Sequence, residues 1–272
     1  VVDESQRVDL PFVGHVPREL SVAEVSDAGQ RSIEHLDRIL LASSEREDQL
    51  TAPLSEDPLR RARALVDSFS PAKLEALAAR LQRNGTSVVP TLSFYRTLLG
   101  AARGDATIVE AERLLYIPES YRTSWAAAET GRFDVEAILF DKYVELVGLL
   151  HKSGVQILAG TDVVKPFFVP GFSLHDELGL LVFAGLTEME ALQAATRDSA
   201  RFVGLSGVGT IERGMVADLV LLDADPIENI DNTRSVSSVV SAGYLLGRAE
   251  LQAISSEIRG NAVGWVGSPT GR

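Results

Sequence analysis

Four histidines are spread along the chain, and two of them stand at the ends of strand-like stretches. His15 ends the run from Val8 through Gly14, and His35 ends Arg31–Glu34. A third run, Val155–Thr161, ends at Asp162. In parallel α/β folds, functional groups collect at the C-terminal ends of strands. Two imidazoles and a carboxylate on one rim form a ligand set suited to Zn²⁺ or a similar divalent ion. A strand-end carboxylate beside an activated water can also take its proton as general base. Each residue has a plainer reading. A strand-end histidine is commonly a hydrogen-bonded or half-buried side chain, and Asp162 fits a cap or loop aspartate. His175 precedes Asp176 and Glu177 near a helix start. It reads either as a substrate contact or as a surface residue. His151 falls late in a long helix, where a cation suits the dipole, and reads as structural.

Other chemistries find less support. There is no cysteine, which removes disulfides, thiolate metal sites and cysteine nucleophiles together. The chain has no nucleophile elbow, no phosphate-binding lysine loop and no dinucleotide fingerprint. Acidic residues outnumber basic ones 38 to 26, which argues against a nucleic-acid partner, since that needs a basic face. No apolar run approaches ~18 residues, so no membrane span is expected. At 272 residues with 45% apolar content, a globular fold with a substantial core is expected.

The elements that must position these side chains alternate. Strands are predicted at 8–16, 31–35, 87–92 and 155–161. Helices are predicted between them. One follows the capping box Ser21/Glu24. Another opens at Pro71, with Leu74, Leu77, Ala78 and Leu81 on one face, and stops at Asn84-Gly85. Residues 94–133 read as an excursion of one or two helices, and a long helix runs from about Asp134 to Ser153. Another spans Ser173–Ala184, and Thr187/Glu190 caps one more. This alternation argues a parallel sheet with helical crossovers. After Leu205 the pattern becomes a small β region around Ala217–Leu222 and Ser235–Ala242, and the last ten or so residues read as frayed. The expected division is 1–205 and 206–272. Val1 is followed by no charged-then-apolar leader, so the chain reads as processed, trimmed or fragmentary.

An ordered set of segments resembles the metal-dependent amidohydrolases. Gly14-His15-Val16-Pro17 and Asp27 through His35 are similar to that family's fifth and sixth strands. Val89-Pro90-Thr91-Leu92 is similar to the seventh, and Ile157 through Asp162 to the eighth. Ser173 through Leu178, Ala184 through Thr187 and Ala191 through Thr196 resemble the segment after the family's eighth strand. Gly209-Thr210-Ile211, Gly214 and Ala217 through Asp223 resemble the return into a small β-sandwich. The nearest branch is imidazolonepropionase-like and Xaa-Pro or Xaa-Arg dipeptidase-like. The resemblance implies an α/β fold of (β/α)₈ barrel type, here strands five to eight plus C-terminal sandwich strands. It implies one or two divalent metals, zinc foremost, in the complete site. His15 and His35 would bind one metal, Asp162 would bind the other and accept a proton, and His175 would contact a small-molecule substrate. The implied activity is hydrolysis of amide-like C–N bonds.

The departure from the pattern is large. The family's first-strand His-x-His pair is not present. Nor is its bridging lysine, because Lys73, Lys142, Lys152 and Lys165 all follow His15. A half barrel leaves sheet edges open and apolar surface bare. The expectation is a homo-oligomer or an N-terminal half supplied separately, with a non-catalytic half barrel or assembly partner as the alternative. A third reading is a metal-free α/β enzyme using Asp162 with an acidic partner.

Overall fold

The computed structural model describes residues 2–51, 57–109, 111–126, 134–163 and 165–264. Its centre is a set of parallel segments laid side by side in chain order. Strand β1 (Ser32–Glu34) pairs with β2 (Ser87–Val89) in the register Ser32↔Ser87, Ile33↔Val88, Glu34↔Val89. Gly14 forms a single parallel bridge to Ile33 on one side, and Val88 forms one to Ile157 on the other. Ile33 and Val88, at the middle of this arrangement, are wholly buried.

Two of the four predicted strands are thus reduced to bridges. Val8, the predicted start of the first strand, instead ends the helix Val2–Val8. Pro11 has no N–H to give a ladder, and Gly14 sits at φ 126°, outside regular strand geometry. Pairing survives only where Arg31 N donates to Phe12 O at 2.9 Å and Glu34 N to Gly14 O at 3.4 Å. Residues 155–161 likewise pair through two bonds about Val88. Val88 N donates to Gln156 O at 2.9 Å, and Leu158 N donates to Val88 O at 3.0 Å.

Helices fill the connections. Ser21 and Glu24 close their capping box ahead of Val22–Asp27, and Thr187 and Glu190 close theirs ahead of Glu188–Ala195. Pro71–Asn84 begins with proline and ends at Gly85, whose φ of 66° is the left-handed stop a glycine supplies cheaply. The predicted face Leu74, Leu77, Ala78 and Leu81 is buried. The long helix Asp134–Lys152 packs on Pro58–Asp67 and Leu92–Ala102. It buries Tyr143, Leu146, Val147 and Leu150 in the same core as Ile33 and Val88. Residues 36–70, which show no clear periodicity, fold into Asp37–Ala42, Glu47–Thr51 and Pro58–Asp67. The excursion after β2 holds Leu92–Ala102, Ala106–Val109, Glu112–Tyr116 and Glu119–Ala126, while 127–133 lie outside the described residues.

The C-terminal β region is an antiparallel sheet of β3 (Leu219–Leu222), β4 (Val236–Ser241) and β5 (Tyr244–Leu246). The last hairpin turns through Ala242 and Gly243, both at positive φ, as a two-residue hairpin prefers. A helix, Arg248–Gly264, follows, and 265–272, most of the stretch expected to fray, lie outside the described residues. The fold is therefore mixed α/β with helices predominating.

Candidate functional site

His35, Thr91 and Asp162 stand just beyond parallel segments, and each adopts a left-handed backbone, at φ 68°, 51° and 51°. For a non-glycine residue that conformation costs about 1–2 kcal/mol. Each side chain is thereby turned off its strand end. Strain of this kind concentrates at functional positions.

The turned side chains meet. His35 Nδ1 lies 2.6 Å from Thr91 Oγ1. His35 Nε2 faces Asp162 Oδ2 at 3.9 Å. The His15 ring lies beside the His35 ring, centroid to centroid 4.9 Å. Phe94 and Tyr95 wall the other sides of His35, at 5.8 and 6.3 Å. Phe168, buried, stands 6.0 Å from Phe94. Burial pushes the His35 imidazole below its ordinary pKa. Asp162 opposes that shift and His15 adds to it. With Thr91 Oγ1 accepting from Nδ1–H, a neutral His35 would present its Nε2 lone pair toward Asp162, the state a metal ligand requires.

The donor chemistry fits a divalent cation in part. The 3.9 Å between His35 Nε2 and Asp162 Oδ2 is shorter than two Zn–ligand bonds of about 2.0–2.2 Å laid end to end. Among the described residues, however, no group of three or more His, Asp or Glu side chains is arranged to hold a metal. His15 neighbours the pair without completing such a group. Lys165, which belongs to no sequence motif, brings its Nζ to 3.8 Å from Asp162 Oδ2 and 5.9 Å from the Phe94 ring centroid.

His175 lies elsewhere. On helix Phe172–Phe183, its Nδ1 is 2.9 Å from Thr233 Oγ1. That hydroxyl already donates to Ile230 O at 2.8 Å, so it accepts from the His175 Nδ1–H. Burial, then the Arg234 charge, lowers the His175 pKa, and Asp176 opposes. The ring lines an 820 Å³ cleft with Tyr116, Phe172, Arg234, Arg248 and Arg259, whose walls include none of His15, His35 and Asp162. Each arginine there meets a carboxylate: Arg234 with Asp176 at 2.8 Å, Arg248 with Asp223 at 2.8 Å and Arg259 with Glu112 at 3.0 Å. Phe172 lines this cleft from the start of its helix, and the Phe167 ring packs on Trp125 at 5.7 Å between centroids. His151 pairs with Glu190 at 3.4 Å, in keeping with a structural role.

Two residues of the site lie within family-like segments whose sequence assigns them no role. Thr91 is one, a hydroxyl at a strand end that has no ionisable group. Glu177 is the other, a wholly buried carboxylate. Its oxygens accept from Leu92 N at 3.1 Å and Ser93 N at 2.6 Å. The signal available for Thr91 is its place directly before a helix, where threonine commonly caps.

Known proteins supply the remaining context. The family model described as "Amidohydrolase family" matches residues 1–246. No curated protein matches. A solved bottromycin amidohydrolase is 25% identical with a TM-score of 0.71, covering 96% of this chain and 55% of its own. A Xaa-Pro dipeptidase solved with methionine in its active site is 21% identical, TM-score 0.58, over 91% of this chain and 47% of its own. Ochratoxinase from A. niger is 20% identical, TM-score 0.57, over 90% and 43%. This chain spans about half the length of these solved relatives.

Proposed function

The chain belongs to the amidohydrolase family, and on that premise we propose that it forms the C-terminal part of a metal-dependent hydrolase of amide-like C–N bonds. Residues 1–205 would carry the last four strands of a (β/α)₈ barrel, and 206–272 the closing part of a β-sandwich. Support for the barrel comes from the four parallel segments, each paired to the next in chain order.

One observation carries the functional reading. His35 is held through Nδ1 by Thr91 while its Nε2 faces Asp162, and all three stand at strand ends. His35 and His15 would hold a divalent ion, zinc by preference, with Asp162 a further ligand. Bound metal supplies acidification of water toward a pKa of ~7 and polarisation of the substrate carbonyl. Asp162 would take the proton of the attacking water and return it to the leaving nitrogen. Phe94, Tyr95 and Phe168 keep the space about His35 apolar. His175, in the first turn of helix Phe172–Phe183, would contact a small-molecule substrate that extends into the separate cleft it lines.

A second reading, a non-catalytic half barrel that serves in assembly, is favoured by the lack of a three-donor group among the described residues. Elemental analysis of the dialysed protein separates the two, beside His15→Ala and Asp162→Ala. About one or two equivalents of metal, lost in the variants, is the result expected of the hydrolase reading. Folded protein with no metal would sink it for this chain and leave the assembly role.

A further inference from the structure

A helix begins with amides that have no partner inside it, and a threonine at the cap ordinarily satisfies one through its hydroxyl. Thr91 caps Leu92–Ala102 and makes no such bond. Its Oγ1 is spent on His35 Nδ1. The first two amides of the helix are taken instead by Glu177, which reaches across from Phe172–Phe183 with one oxygen for each. No water competes there, since Glu177 has no exposed surface. A glutamine would offer one acceptor and turn an NH₂ against the other amide. Two donors side by side therefore select a carboxylate, although burial raises its pKa to about 7.

We propose that Glu177 is a positioning residue of the candidate site. By capping Leu92–Ala102 from another helix, it frees the Thr91 hydroxyl to hold His35 with Nε2 toward Asp162. The proposal deepens the hydrolase reading and rests on it for why His35 must be held. Without the Glu177 cap, Thr91 Oγ1 is drawn back to its own helix amides, and the ring loses the bond that sets its tautomer.

Nitrogen NMR of the His35 ring in metal-free protein, at mildly alkaline pH, tests this without activity. Wild type should show one tautomer with the proton on Nδ1. Glu177→Gln should show a mixture, and so should Thr91→Val. The double variant should be no worse than either single change, because both act through one bond. Zinc affinity, read by competition with a chromogenic chelator, should fall about tenfold or more in each. Glu177→Asp, which keeps the charge but withdraws it by one methylene, replaces Glu177→Gln should that variant not fold. A folded Glu177 variant with the wild-type His35 tautomer overturns the proposal. A tautomer change in a protein that binds no zinc upholds the positioning role while the metal reading falls.

Discussion

Glu177 is held by two backbone amides in a place closed to water, and that has a consequence for stability. Desolvation raises its pKa from 4.5 to about 7, against the pull of the Ser93 and Leu92 amides. The unfolded chain ionises near 4.5, so between those values the folded state binds the extra proton. Stability from this group is therefore greatest below 4.5 and declines as pH rises through about 7. The loss is roughly 3 kcal/mol across that window. His35 works in the opposite sense. Its lowered pKa means that stability is lost as pH falls below its ordinary value of 6.5. Urea unfolding of wild type and Glu177→Gln across this pH range, both in a His35→Asn background so that no His35 titration enters, isolates the Glu177 contribution. The gap between the proteins should shift by roughly 3 kcal/mol in favour of the variant as pH rises. A gap that does not change with pH would mean Glu177 ionises as freely in the fold as in the unfolded chain.

At the scale of elements, the caps can be read from sequence and the pairings cannot. Ser21/Glu24 and Thr187/Glu190 are local devices, each complete within four residues, and both form as their spacing requires. The Thr91–His35 contact spans 56 positions and the Glu177 cap 84 and 85, so no window of sequence contains either. The strands predicted at 8–16 and 155–161 shrink to one bridge each because apolar content does not specify a pairing partner: Val155, Ile157 and Leu158 are buried without a ladder, and most of 8–15 stays exposed. The second of them depends on a close approach. A Cβ on Gly160 would stand 2.4 Å from Val89 Cγ1, so the segment leading to Asp162 rests directly on β2. Gly160→Ala should push that segment off β2 at a cost of about 1–3 kcal/mol. It should also widen the His35–Asp162 separation. Chemical unfolding measures the first effect, and zinc affinity relative to wild type measures the second. Wild-type behaviour in both would show that the segment has room to spare.

Across the whole molecule, the surface is unfinished in specific places. Leu10 and Val13, beside the Gly14 bridge, are 63% and 54% exposed. On the C-terminal sheet, Val220 and Leu221 of β3 and Tyr244 and Leu245 of β5 are each more than half exposed. Neighbouring residues of a strand point to opposite faces, so both faces of this sheet are bare. A three-stranded sheet of this kind lacks the covered face that ordinarily stabilises one. The formal charge of −12 disfavours indiscriminate clustering, yet it is carried by residues outside these strands, apart from the flanking Asp218 and Asp223. Exposed apolar surface of this kind is ordinarily covered in an assembly. With this chain alone in solution the occupant is a second copy, and sedimentation velocity should find a dimer or larger species at moderate concentration. Val220→Lys with Tyr244→Glu should return it to a monomer. Both side chains are exposed and contribute little to the fold, so unfolding free energy should change by no more than about 0.5 kcal/mol per site. A wild-type chain that stays monomeric as concentration rises would show that charge and exposure are enough to keep the bare sheet solvated, and that the apolar face recruits no second copy.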